Sequence, residues 1–143
     1  CHAGEGLALT PPLTYRPGDV LAEHITFPRQ SPDAPLDVHA SQIQLLERSR
    51  CFQASPKMTC STCHNVHRPQ RDLAAMASCM QCHQVDHCGK FPALGAAIAT
   101  GCVDCHMPLE KTVQIVISGQ GGGSLQPKVR NHRIAVYPEA SPP

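Results

Sequence analysis

The residues able to do chemistry in this chain are its nine cysteines and nine histidines, and most of them share one spacing. Cys60-Ser61-Thr62-Cys63-His64, Cys79-Met80-Gln81-Cys82-His83 and Cys102-Val103-Asp104-Cys105-His106 all read C-x-x-C-H. Two thiols three positions apart lie on one side of a helical turn, where both can add to the vinyl groups of a single porphyrin. The imidazole that follows is then directed at the iron as its proximal ligand. The expected cofactor is haem c, three copies of it. Cys60, Cys63, Cys79, Cys82, Cys102 and Cys105 would be the thioether positions, with His64, His83 and His106 on the irons.

Paired thiols also build tetrahedral zinc sites, but zinc does not require a histidine after every second cysteine. A thioredoxin-like redox motif expects one C-x-x-C beside a βαβ pattern, and here the motif recurs three times.

Three cysteines lie outside the motifs. Cys1-His2 reads as the last two residues of a further C-x-x-C-H, which would make Cys1 a thioether position and His2 a fourth proximal ligand. A lipidated terminus and a free thiol are the competing readings. Cys51 and Cys88 are expected to form a disulfide, because haem is attached outside the cytoplasm, where disulfides also persist. Two buried free thiols are the alternative.

The other five histidines are candidates for the distal side of the irons: His24, His39, His67, His87 and His132. Four bis-His haems would use all but one of the nine histidines, the expected remainder being His24, which is open to a haem of a neighbouring subunit. His67 follows His64 by three and His87 follows His83 by four. Such pairs share one face of a helix, whereas two axial ligands approach an iron from opposite faces, so each is expected to serve a different haem from its neighbour. Met58, Met76, Met80 and Met107 could also reach iron, but Met76 and Met80 sit at helical spacing suited to core filling.

These side chains need elements to hold them. Residues 37–52 are expected to be helical, with Asp37 as the cap and His39, Ile43, Leu46 and Arg50 on one face; His39 is the leading distal candidate. Residues 69–83, with Leu73, Met76, Met80 and His83 on one face, and Leu94, Ala97 and Ile98 ahead of Cys102, are expected to form short helices ending in haem-binding turns, with Pro108 stopping the last. Residues 113–117 and 133–137 read as strands flanking the loop Gly119-Gln120-Gly121-Gly122-Gly123-Ser124, and His132 opens the second. Residues 4–36 are rich in Gly, Pro and Thr and read as extended chain and turns. The expectation is one domain over 1–143: an arm (1–36), a haem-binding core (37–108) and a strand-like tail (109–143). Its class is mostly α with extensive loops, a small multihaem fold wrapped around stacked haems, with a short β ribbon near the end.

Composition bounds the rest. The chain has three Phe, two Tyr and no Trp, too few aromatic residues for a substantial core, so porphyrins are expected to supply apolar volume. A net charge of +1 gives no basic footprint for nucleic acid. No apolar run approaches the roughly 18 residues of a membrane span, and no signal peptide is seen. Haem attachment implies an exported bacterial or archaeal protein, periplasmic or extracellular.

With the motifs on the page, the chain resembles the multihaem c-type cytochromes with closely packed bis-His haems, and is similar to the tetrahaem carriers of ammonia oxidation and to filament-forming extracellular cytochromes. Cys60-Ser61-Thr62-Cys63-His64-Asn65-Val66-His67 and Gly101-Cys102-Val103-Asp104-Cys105-His106-Met107-Pro108 carry the likeness, which spans roughly residues 37–138. It implies electron transfer between redox partner proteins, without enzymatic turnover. Filament assembly is the alternative, and an enzyme with an open haem iron the third.

Overall fold

The computed structural model describes residues 6–28, 31, 33–65, 67 and 72–140. Cys1 and His2 lie outside these residues, as does Pro69 at the start of the expected second helix.

The arm is more ordered than its composition suggests. Strand β1 (Leu7–Ala8) pairs antiparallel with β2 (Ile25–Thr26), and helix α1 (Leu21–His24) is a single turn feeding directly into β2. The Leu9 amide donates to the His24 carbonyl at 2.8 Å, extending the pairing by one step. Gly6 is required there, because a Cβ would run into the Ile25 side chain.

The expected continuous helix over 37–52 is two short ones, α2 (Gln42–Glu47) and α3 (Arg50–Gln53). Two side chains account for the difference. The Asp37 carboxylate does not cap a helix: it accepts from the His39 amide (2.8 Å), the Thr112 hydroxyl (2.7 Å) and the Val113 amide (2.6 Å). Residues 38–40 are therefore turn, and His39 lies half-buried on it rather than on a helix face. At the break, Ser49 is fully buried; its hydroxyl donates to the His132 carbonyl (3.2 Å) and accepts from the Ile134 amide (2.8 Å). A hydroxyl committed to a distant strand of chain competes with the local helix for backbone geometry.

Helix α4 (Cys60–Cys63) opens on the first motif, and Thr59 begins it by donating its amide to the Thr62 hydroxyl at 3.0 Å. Helix α5 (Asp72–Cys79) ends on the second. A tight helical turn at Val85–His87 follows, then α6 (Phe91–Leu94), a second tight stretch at Gly95–Thr100, and α7 (Cys102–His106), which contains the whole third motif. Only the second motif ends a helix; the first and third begin one. His83 and His87 consequently share no helix, since His83 lies in irregular chain after α5 and His87 closes a separate turn.

The C-terminal ribbon exists at a different register from the expected one. Strand β3 (Leu109–Lys111) pairs with β6 (Lys128–Arg130), and β4 (Ile117–Ser118) with β5 (Ser124–Leu125). Residues 113–116 and 131–137 are not strand. Buried Thr112 interrupts the first stretch: its hydroxyl accepts from the Gln114 and Ile115 amides and donates to Asp37. The second stretch spends its amides on side chains and on α7.

Helix α5 packs against α4, α7 and the Gly95–Thr100 stretch. The apolar core of the described residues is small: Val38, Leu45, Met76, Ile98, Val103 and Cys105. The chain exposes 10681 Å², whereas a compact 15.4 kDa protein exposes about 7200 Å² by size scaling. No helix among the described residues is long and apolar enough to cross a membrane.

Candidate haem-binding site

The three motifs converge through the packing of α5. Burial, then the neighbouring thiols of Cys51, Cys82 and Cys60, hold the Cys63 thiol above its ordinary pKa. Cys79 is raised by burial and by Cys102, Cys63 and Cys51. Cys102 is raised by burial and is further influenced by Cys88 and Cys105, against an opposing backbone hydrogen bond. Those influences also locate the two spare cysteines. Cys51 belongs with Cys63 and Cys79, and Cys88 with Cys102. Like the six motif cysteines, both are free thiols in the structure.

At the first motif, Cys60 and Cys63 are half-buried and His64 is exposed. A cleft of about 440 Å³ opens there, lined by Ser61, Thr62, Cys63, His64, Asn65, His67 and Ser78, a size in the usual range for small-molecule sites. The ring of His132 faces that of His64 with centroids 6.0 Å apart and planes 29° from parallel. His132 Nδ1 lies 3.1 Å from the Arg130 carbonyl. A carbonyl only accepts, so Nδ1 carries the proton and Nε2 keeps its lone pair. Burial also lowers the His132 pKa, against the Arg130 hydrogen bond, which favours the neutral, ligating imidazole.

The third motif repeats this arrangement. His106 Nδ1 donates to the Ala135 carbonyl at 2.8 Å, again leaving Nε2 as the nitrogen with a lone pair. Inside the motif, Asp104 Oδ1 is 2.5 Å from Arg130 Nη2. The second motif is more open, with Cys82, His83 and His87 exposed.

The structure thus brings His132 to the first motif and places His67 on the lip of the same cleft. It does not bring His87 or His24 to a second histidine among the described contacts, and His39 lies half-buried on the turn of residues 38–40. His24 is held within the arm: Nδ1 lies 3.1 Å from the Thr10 hydroxyl, Nε2 lies 3.6 Å from Asp19, and Tyr15 meets its ring edge-on at 5.3 Å. Sequence reasoning missed Ser49, Asp104, Arg130 and Ala135, all of which position histidines. Their contacts join residues far apart in the chain, and no local pattern marks them.

Among the described residues, no group of three or more His, Cys, Asp or Glu side chains is arranged to hold a bare metal ion. No protein-family model matches the chain, and no curated protein or solved structure is similar to it.

Proposed function

We propose that this chain is a multihaem c-type cytochrome that carries electrons. It would bind haem c at Cys60/Cys63, Cys79/Cys82 and Cys102/Cys105, with a fourth haem at Cys1-His2, and work outside the cytoplasm between redox partner proteins. The observation that carries the reading is the His64–His132 pair. His64 and His132, with ring centroids 6.0 Å apart, would hold the haem iron of the first motif, each through the Nε2 lone pair in its own ring plane, so the stacked rings would turn on binding. Rings in direct contact also lie at such a separation. The hydrogen bond from His132 Nδ1 favours ligation, because it presents Nε2 and fixes the tautomer as partners of metal-bound histidines do.

Two histidines are what a haem asks of a protein, since the porphyrin supplies the four in-plane nitrogens. Haem held there would supply one-electron Fe(II)/Fe(III) chemistry, and the chain's residues would provide its ligands and set its exposure. An iron filled on both sides suits electron transfer rather than catalysis at the metal, which is the reason for reading the chain as a carrier or conduit and not an enzyme. The small core and large exposed surface fit a chain completed by porphyrins.

The test is an absorption spectrum with haem quantification. A reduced low-spin α band, at least three haems per chain and no carbon monoxide binding are expected. A haem-free chain would sink the reading, and stoichiometric carbon monoxide binding would turn it toward an enzyme.

Assembly of copies into a conductive filament is the second reading. It is favoured by open two-stranded ribbons that carry exposed apolar residues, Leu7 on β1 and Ile117 and Leu125 on β4 and β5, because strand edges of this kind accept further strands. Electron microscopy of the native preparation separates the two: filaments favour assembly, dispersed particles the carrier.

A further inference from the structure

We infer that Arg130 is a positioning residue that ties the axial ligand at the first motif to the third motif, so that the two haem sites are set by one segment of chain. The inference rests on the cytochrome reading and concerns residues of the tail and of the third motif.

Residues 130–135 are anchored at both ends on α7. At one end the Arg130 guanidinium grips the motif itself: Nη2 binds Asp104 Oδ1 at 2.5 Å, and Nη1 donates to the Val103 and Met107 carbonyls at 3.3 Å each. At the other end Ala135 and His106 exchange two bonds. The Ala135 amide donates to the His106 carbonyl (3.3 Å), and His106 Nδ1 donates to the Ala135 carbonyl (2.8 Å). Between these anchors the segment reaches across to the first motif with His132.

Arg130 acts twice. Its side chain fixes the segment to Asp104, and its carbonyl accepts from His132 Nδ1, setting the ring's rotation and tautomer. A planar guanidinium that satisfies a carboxylate and two carbonyls at once locks its own backbone in a way a single ammonium does not. Asn131, bound to Glu110 at 2.8 Å, and Ser49, bound at His132 and Ile134, support the same span. Releasing Arg130 from Asp104 should therefore loosen His132 at the far site while Cys60, Cys63 and His64 remain unchanged.

The experiment uses the haem-loaded protein and four variants: His132→Ala, Arg130→Gln, Arg130→Lys and Asp104→Asn. Each is assayed for haem content, carbon monoxide binding after reduction, and haem potentials by redox titration. His132→Ala should open one haem per chain to carbon monoxide. Arg130→Gln should open the same haem in part and shift its potential in the same direction, with Asp104→Asn and Arg130→Lys in between. Adding Arg130→Gln to His132→Ala should change nothing further at that haem, as expected for two residues acting through one ligand. If Arg130→Gln is recovered without haem, the lysine and asparagine variants carry the same comparison. Variants that keep every haem closed to carbon monoxide at wild-type potentials overturn the inference alone. A wild-type chain that carries no haem overturns the cytochrome reading and this inference with it.

Discussion

Ser49, Asp37 and His132 show how single side chains decide the geometry around the motifs. Ser49 is fully buried, and its hydroxyl serves the His132 carbonyl and the Ile134 amide in the tail. Ser49→Ala leaves a buried amide without its acceptor, a loss of about 1–3 kcal/mol, so thermal unfolding should show a lower midpoint; an unchanged midpoint would refute the role given to this hydroxyl. Asp37 behaves differently. Burial pushes its pKa up, but hydrogen bonds from Thr112, Val113, His39 and Gln114 outweigh that and leave it below the ordinary 3.8. A carboxylate with a depressed folded pKa stabilises the protein above its unfolded pKa, and that contribution is lost as pH falls through the folded value. Melting temperature should therefore drop on acidification below about pH 4, and Asp37→Asn should flatten that limb. In the haem-free chain His132 carries the same sign, since burial lowers its folded pKa.

At the level of elements, the chain is built from short pieces that end where the sequence offers a specific stop. Helix α6 ends at Gly95, which has φ +60°, a conformation open to glycine at little cost. Gly95→Ala meets no atom within 4 Å, so its cost is backbone strain alone, about 1–3 kcal/mol at φ +60° and ψ −158°. Gly89→Ala, also in open space but without a positive φ, is the matched control. Calorimetry should show the first variant melting lower and the second near wild type; equal midpoints would contradict the strain account. The expected helix over 37–52 fails for a related reason. Its apolar periodicity is present, but the helix signal is local, whereas Asp37 and Ser49 are claimed by partners in the tail. The strand expectation for 113–117 and 133–137 misplaced the pairing: of those residues only Ile117 is strand, because Thr112 and the anchors of residues 131–135 occupy the rest, and the ribbon pairs 109–111 with 128–130.

For the whole molecule, the balance of surface and core is the informative quantity. Six small or medium apolar side chains form the described core, and the chain exposes about 3500 Å² more than size scaling gives for its mass. Such a polypeptide cannot offset the conformational entropy of folding by its own burial. Chemically haem-stripped protein is expected to lose its cooperative thermal transition, read by circular dichroism; a sharp native-like transition without haem would show that the polypeptide core suffices.

What the sequence determined by itself was everything governed by close spacing. Cysteines three positions apart with a histidine next to the second mark where porphyrins would attach under the proposed reading, and α4 and α7 form at two of those places because the motif is one helical turn long. Which histidine faces which motif was decided only in three dimensions. His39 had the better local credentials, on an expected helix face, yet it is His132 that stands opposite His64. The reason is physical: the meeting of these two residues is set by hydrogen bonds from Ser49, Arg130 and Ala135, whose partners lie too far along the chain for any periodicity to record.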